Sequence, residues 1–275
     1  MDLDGLYAYT GGKAFDAALP CVAFLHGAQH DHSVWILQSR FFAHHGFAVL
    51  ALDLPGHGRS SGPLPATVEG HADRIAAALG ALDSPRLVLV GHSMGSLIAL
   101  EVARRLPARV AGVALLGSAF PMKVSEALLA ATRDDPPAAM QMINLWSHSA
   151  SIAPFAARPS NPGPGFNIVW QNLRLMERIA RRNGAAVLPT DFAACNGYAG
   201  GLDAARALRC PALFVSGAAD QMTPPRAAQA LIDACADKSA LVLPATGHAL
   251  MAENPDAVRQ ALYGFARRVT ACGAA

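Results

Sequence analysis

Ser93 stands at the centre of a short motif, Gly91-His92-Ser93-Met94-Gly95, in which a hydroxyl could act as a nucleophile. The motif lies between an apolar run typical of a buried strand and a run with helical spacing. Glycines on either side of a serine at such a turn remove Cβ atoms that would clash, and the hydroxyl projects from the turn. Because a five-residue pattern is short enough to occur by chance, the interpretation depends on the rest of the chain.

His248 and Asp220 would complete the chemistry that a serine nucleophile needs. A hydroxyl is a poor nucleophile until a nearby base removes its proton, and the base needs an acid that holds its tautomer. Of the ten histidines, His248 follows the last strand-like run, residues 240–243, and Asp220 follows the run 211–215. Sites in open α/β sheets form at the carboxyl ends of the strands. We therefore predict Ser93 as nucleophile, His248 as base and Asp220 as the orienting acid.

Each of these assignments has a purely structural alternative. Ser93 could simply cap the helix that follows it, and Asp220 could cap the turn that precedes Pro224. Asp191 and Asp203 are alternative acids, although neither follows a strand-like run. We predict Asp220 because it alone among these carboxylates is placed at the edge of the sheet that carries Ser93.

The group His30-Asp31-His32 contains residue types that bind metals. A polar loop in which Asp31 or Ser33 caps the next helix explains the same residues, and we predict no metal and no cofactor. The five cysteines are scattered and lack any Cys-x-x-Cys spacing, which favours buried apolar side chains over disulfides or metal ligands.

The elements that must position these residues alternate along the chain. Continuous apolar runs are typical of parallel strands that are covered on both faces. Alternation of such runs with helices indicates an α/β protein with a mostly parallel, doubly wound sheet and right-handed crossovers. The predicted strands are residues 21–25, 47–52, 86–90, 110–116, 211–215 and 240–243, and the predicted helices are 34–44, 68–82, 93–106, 225–234 and 255–269.

The alternation is interrupted from residue 119 to residue 208, where no strand-like run occurs. Helical patterns cover 123–132, 137–146 and 167–182, and a loop rich in Pro, Ser and Gly, residues 147–165, separates the last two. We therefore predict a core made of residues 1–118 and 209–275, with residues 119–208 inserted as a helical cap.

Size and composition favour a globular protein that acts on a small molecule. The chain has 275 residues, of which 52% are hydrophobic and 15% charged, so it can bury a large core. The net charge of +2 includes no basic run, which argues against nucleic acid or a membrane surface as a partner. An acidic start and the lack of a long apolar run predict a cytoplasmic protein. No feature of the sequence specifies an oligomeric state.

The order Ser93, Asp220, His248 is the nucleophile, acid, histidine order of the α/β-hydrolases, and the chain resembles this superfamily over nearly its whole length. A His-Gly pair at residues 26–27, after an early strand, is similar to its pattern. The segment 53–60 (DLPGHGRS) resembles the loop that follows the next strand in these enzymes. Five segments that match in the right order are a far more specific signal than the pentapeptide alone.

The resemblance implies an α/β-hydrolase fold with a nucleophile elbow and an oxyanion hole. The backbone N–H groups of Ala28 and Met94 would stabilise the oxyanion. The implied reaction is attack by Ser93 on the carbonyl of a small or medium apolar carboxylic ester, lactone or thioester, with an acyl-enzyme that water releases. This predicts a serine hydrolase of the carboxylesterase type.

Three other functions fit the same residues. The first is hydrolysis of a carbon–carbon bond in a diketone-type substrate, against which His92 argues because such relatives often carry Asn there. The second is a cofactor-free perhydrolase, and the third is a binding protein that holds a ligand without turnover. For the substrate pocket the sequence suggests Gln29, Trp146, Phe155, Phe166 and Trp170, although the apolar residues among these could equally form the core of the insertion.

Overall fold

One eight-stranded sheet forms the centre of the molecule, in the order β1-β2-β4-β3-β5-β6-β7-β8. The structure is a computed structural model that describes residues 1–149 and 166–271, apart from the side chains of 166 and 167. From β4 through β8 all neighbouring strands are parallel, which confirms the predicted fold class. The strands are Asp2–Leu3 (β1), Leu6–Tyr9 (β2), Cys21–Leu25 (β3), Ala48–Leu52 (β4), Leu87–His92 (β5), Val110–Leu116 (β6), Ala212–Gly217 (β7) and Lys238–Leu243 (β8).

Helices cover the sheet and fill the interval between β6 and β7. The core helices are Ile36–Ala43 (α1), Val68–Gly80 (α2), Met94–Arg105 (α3), Gln229–Ala234 (α9), Leu250–Glu253 (α10) and Pro255–Ala271 (α11). Those between β6 and β7, called here the inserted helices, are Glu126–Asp134 (α4), Pro136–Trp146 (α5), Phe166–Asn183 (α6), Val187–Gly197 (α7) and Gly201–Arg206 (α8). None of the helices in the described part of the chain is both long and apolar enough to cross a bilayer.

The central strands are apolar throughout because the sheet is packed on both faces. Along β3 the side chains of Cys21, Ala23 and Leu25 belong to one core cluster, and those of Val22 and Phe24 belong to the cluster on the opposite face. This alternation is the period of two expected of a strand. The register of β3 with β4 and β5 is continuous, so the carboxyl ends of these strands lie at one edge.

Three details differ from the sequence-based expectations. The antiparallel strands β1 and β2 at the start of the chain were not predicted, because two and four residues are too short for a clear pattern. The last strand, β8, is mostly exposed, since it has a neighbour on one side only; Leu241 and Val242 face solvent. Helices α7 and α8 were also missed, and α7 has almost no amphipathic pattern because its buried face carries the charged Asp191 while Ala193 and Gly197 lie on its exposed face.

Helix boundaries follow local capping. The helix expected from residue 123 begins at Glu126, because the Ser125 side chain accepts a hydrogen bond from the N–H of Leu128. Helix α5 begins at Pro136, where the side chain of Asp135 caps it and proline suits the first turn.

Candidate active site

Ser93 lies in a strained turn between β5 and α3. Its backbone has φ of 53° and ψ of −122°, a conformation that non-glycine residues rarely adopt and that costs about 1–3 kcal/mol. The turn is held by the N–H of Ser93, which donates to Leu116 O at 2.9 Å. A Cβ at Gly91 would overlap the backbone of Gly95, and a Cβ at Gly95 would overlap the carbonyl of His26. Only glycines fit at these two positions, as the motif predicted.

Ser93 occupies the N-cap position of α3 but does not act as a cap. Its side chain makes no capping hydrogen bond to the helix, and its φ differs from the extended value of an ordinary N-cap serine. The partly exposed hydroxyl is therefore not used by the helix that follows it. Met94 is the first helical residue, so its N–H has no partner within the helix.

Asp220 and His248 are brought together across the ends of β7 and β8. Asp220 Oδ2 lies 2.8 Å from His248 Nδ1, and both residues are buried. Because this carboxylate accepts the proton on Nδ1, Nε2 is the ring nitrogen that remains to act as a base. Burial raises the pKa of Asp220, but the charge of His248 and the hydrogen bonds from His248 and Thr223 outweigh it and hold that pKa below its ordinary value.

The second oxygen of Asp220 also has a structural role. Asp220 Oδ1 accepts hydrogen bonds from the N–H groups of Met222 and Thr223, both at 2.8 Å. The turn at residues 220–223 and the contact with His248 therefore use different oxygens of the same carboxylate. Thr223, which sequence reasoning missed, donates its hydroxyl to Asp220 Oδ2 at 2.8 Å and lies 3.0 Å from His248 Nδ1. The Asp-x-x-Thr spacing before a proline was the available signal.

Two neutral histidines hold the backbone around the site. His26 Nε2 accepts the N–H of Leu54, and its Nδ1–H donates to Gly27 O at 2.8 Å. Burial and the charge of His57 keep the pKa of His26 well below its ordinary value. His92 Nε2–H donates to the carbonyl of His248 at 2.8 Å, and burial with the nearby His248 likewise lowers its pKa. Both rings therefore bond backbone groups on either side of the site.

Ser93, His248 and Ala28 line one cavity of about 180 Å³. Its wall also contains Cys195 and Thr223; its apolar side chains are Met122, Val124, Leu128, Trp146, Phe192 and Met222, and Lys123, Ser125 and Gln221 are its exposed polar residues. Gly27 packs directly against Ser93, since a Cβ there would lie 3.1 Å from the Ser93 Cβ. The loop that carries Ala28 therefore borders the serine.

The residues suggested for the substrate pocket take different positions. Trp146 lines the cavity beside Ser93. Trp170 is 48% exposed and lines a second cavity of about 470 Å³ that His248 also borders. Gln29 lines neither cavity: it is fully buried, and its side-chain amide donates to Met176 O at 3.0 Å. Phe155 lies outside the described residues, and so does the side chain of Phe166.

The two alternative acids do not contact His248. Asp203 is exposed in α8, where it pairs with Arg206 at 3.2 Å. Asp191 is fully buried in α7, and its Oδ2 lies 2.8 Å from His57 Nε2. His57 Nδ1 faces Pro55 O at 3.1 Å, so both ring nitrogens face acceptors and the doubly protonated ring is favoured. Burial lowers the pKa of His57, but the charge and hydrogen bond of Asp191 outweigh it and raise that pKa overall.

The His57–Asp191 pair predicts a specific dependence of stability on pH. Because the folded-state pKa of His57 is raised, its contribution is complete below the unfolded value of about 6.5 and is lost as pH rises through the folded value. We expect His57→Gln to lower the free energy of unfolding by about 3–5 kcal/mol at low pH, the cost of breaking a buried pair. Urea unfolding at about pH 5.5 and about pH 9 should show the deficit shrinking at the higher pH.

His45→Gln is the matched control for this prediction. His45 is an exposed histidine whose ring bonds the carbonyl of Phe41 and stacks on the Phe41 ring at 3.8 Å, so its loss should cost no more than about 1.5 kcal/mol of unfolding free energy at either pH. A His57→Gln deficit that stays constant or grows with pH would contradict the buried imidazolium.

Asp31, His32 and Asp53 form the one group with metal-ligand types in the described part of the chain, with ligand atoms within 4.8 Å of one another. These atoms already have protein partners. Asp53 Oδ1 accepts the N–H and the Nδ1–H of His32, and Asp31 Oδ2 pairs with Arg178 at 2.8 Å. Asp31 Oδ1 accepts the N–H of Ser33, which confirms Asp31 as the cap of the turn that begins the next helix.

Comparisons with known proteins agree with this architecture. The family described as alpha/beta hydrolase fold matches residues 20–255. A non-heme chloroperoxidase from Streptomyces lividans is 30% identical over 90% of this chain and 91% of that protein. A pimeloyl-[acyl-carrier protein] methyl ester esterase from Nitrosospira multiformis is 28% identical over 90% of this chain and 95% of that protein. The structure of an enol-lactonase from Burkholderia xenovorans LB400 has a TM-score of 0.78 at 22% identity and covers 94% and 95% of the two chains.

Proposed function

Because the chain belongs to the α/β-hydrolase family, we propose that it is a serine hydrolase that cleaves small apolar carboxylic esters, including lactones and thioesters, through an acyl-enzyme on Ser93. The observation that carries the proposal is that Ser93 lies in a strained turn and lines a cavity that His248 also borders, while Asp220 holds Nδ1 of His248. His248 would take the hydroxyl proton as Ser93 attacks and later activate water.

The charge that develops on the carbonyl oxygen would be met by two amides. Met94 N–H lies at the start of α3, where the helix dipole adds partial positive charge, and Ala28 N–H would supply the second hydrogen bond. The inserted helices act in this proposal as a cap, since Leu128, Trp146 and Phe192 from three of them line the cavity that Ser93 borders.

The size of the cavity supports a short acyl group. Its volume of about 180 Å³ is well below the roughly 300–1,000 Å³ of pockets that hold drug-sized ligands. With p-nitrophenyl esters of graded chain length, we expect kcat/KM to peak at short acyl chains. It should fall at least ~10-fold for octanoyl and longer chains, because each misfit methylene costs about 1–3 kcal/mol.

A second measurement uses a fluorophosphonate. It should form a single phosphonyl adduct, on Ser93, as shown by peptide mass spectrometry. A folded protein that is neither labelled nor active on any ester would contradict the proposal and favour a ligand-binding protein. A maximum of kcat/KM at long acyl chains would contradict the assignment of this cavity as the acyl pocket but not the proposed reaction. Cleavage of a diketone in place of the esters would favour the carbon–carbon hydrolase.

A perhydrolase is a second candidate, favoured by the 30% identity to a protein named non-heme chloroperoxidase. In that reaction hydrogen peroxide would replace water in attacking the acyl-enzyme, so that a peracid is released and Ser93 is regenerated. Peracid formation from an acetyl ester with added peroxide, absent in Ser93→Ala, is the measurement that distinguishes it.

A further inference from the structure

The loop of residues 28–31, called here the oxyanion loop, is hydrogen-bonded to the inserted helices. Gln29 N–H donates to Asp191 in α7, and the Gln29 side chain donates to Met176 O in α6. Two further contacts reach α6: His30 Nε2 lies 2.8 Å from Asn172 Oδ1, and Asp31 pairs with Arg178. Four contacts from residues 29–31 therefore attach this loop to α6 and α7, which are two of the inserted helices.

Asp191 makes the most direct of these contacts. It is fully buried, and its Oδ2 accepts the N–H of Gln29 and the Nε2–H of His57, both at 2.8 Å. Gln29 needs such support because its φ is 56°, in the left-handed region that disfavours a residue with a branched or long side chain. Without an acceptor for its N–H, the Gln29 backbone would lose the contact that acts on it directly and opposes relaxation toward negative φ.

The position of the Ala28 amide depends on the peptide planes on both sides of Ala28. The Ala28 N–H shares a rigid peptide plane with the Gly27 carbonyl, which accepts the Nδ1–H of His26. The next plane carries the Gln29 N–H, which Asp191 holds. His26 therefore fixes the loop from the core, and Asp191 fixes it from the inserted helix α7.

Because it pairs with His57, the Asp191 carboxylate can lie near the proposed oxyanion hole without opposing the charge that develops there. An uncompensated negative charge near the site would oppose a developing oxyanion. His57 lies within 2.8 Å of the same oxygen and has acceptors at both ring nitrogens, so the pair as a whole is close to neutral.

We propose that Asp191 is a positioning residue for the hydrolysis proposed above: through the Gln29 N–H it orients the Ala28 amide, so that the oxyanion hole is complete only when α7 is docked on the core. The inference rests on the proposed function. It assigns to the inserted helices a part in the chemical step in addition to their part in shaping the cavity.

Asp191→Ala and Asp191→Asn test this inference by steady-state kinetics on the best short-chain ester. One oxyanion donor is worth about 10²–10³ in kcat, and a displaced donor keeps part of this, so we expect Asp191→Ala to lower kcat about 10- to 100-fold. KM should change less than about threefold, because the interaction acts in the transition state. Asp191→Asn keeps an oxygen acceptor and should retain kcat within about fivefold of the wild type.

Asp203→Ala is the matched control, since it removes an exposed carboxylate from another inserted helix and should leave both constants unchanged. Folding is checked by circular dichroism and thermal unfolding. Should Asp191→Ala fail to fold, the double variant Asp191→Leu, His57→Phe removes the acceptor without leaving a buried charge and is used in its place.

A folded variant without the acceptor that keeps the wild-type kcat, or that raises KM alone, would overturn the inference. So would an Asp191→Asn protein as impaired as Asp191→Ala. A wild-type protein without esterase activity and without labelling at Ser93 overturns the proposed function itself, so the two failures are distinguished.

Discussion

Replacement of Ser93 by alanine is expected to lower kcat about 10⁶-fold and to leave the protein folded. The loss is this large because the other hydroxyl and thiol groups in the cavity are engaged or inert: Ser125 caps α4, Thr223 donates to Asp220, and burial raises the pKa of the Cys195 thiol. The fold should persist because the Ser93 hydroxyl caps no helix and alanine retains the Cβ that already fits the turn. Ester hydrolysis and thermal unfolding of purified Ser93→Ala provide the two readouts.

Ser239→Ala is the control for this prediction. Ser239 lies on β8, where its hydroxyl is 3.5 Å from Ala212 O, and it borders none of the cavities described above. Its loss should leave kcat unchanged. Hydrolysis by Ser93→Ala at more than a trace of the wild-type rate, after exclusion of contaminating esterase, would remove Ser93 from the mechanism.

Replacement of Asp220 by asparagine is expected to lower kcat about 10⁴-fold, the size of effect seen when the acid of such a triad is neutralised. The structure gives a reason for the loss. Asp220 Oδ1 accepts hydrogen bonds from the backbone N–H groups of Met222 and Thr223. Because only an acceptor fits there, the amide oxygen of asparagine would take the place of Oδ1. The NH₂ group would then face His248 Nδ1 and place the ring proton on Nε2, where it blocks the base.

Asp203→Asn is the isosteric control, because Asp203 is exposed and contacts only Arg206 in its own helix. The kinetic comparison should be made with the same short-chain ester and repeated as single-turnover acylation. An Asp220→Asn protein with more than about a tenth of the wild-type kcat would show that the tautomer of His248 is not controlled by this carboxylate.

The order of the strands and helices in the core could be predicted from local pattern alone. Each central strand is a short apolar run because both of its faces are buried, and the glycines around Ser93 are required by backbone contacts within the same turn. The edge at which Ser93, Asp220 and His248 lie follows from the parallel arrangement, since each comes after the carboxyl end of a strand.

Features that depend on distant contacts were not visible in the sequence. Helix α7 has little amphipathic pattern, and nothing in its composition shows that Asp191 faces His57 and Gln29, residues more than 130 positions earlier. Gln29 was expected to face substrate, but its side chain is directed to the backbone of α6. Such pairings are decided by how the inserted helices pack on the core.

The sequence by itself determined the α/β class, the elbow at Ser93 and the edge where the site forms, because these depend on residue type, period and strand direction. Only the tertiary structure decided which carboxylate is buried against His57 and which side chains border the cavity. The reason is physical: hydrogen-bond partners and cavity walls are set by the approach of elements far apart in the chain, which local patterns do not record.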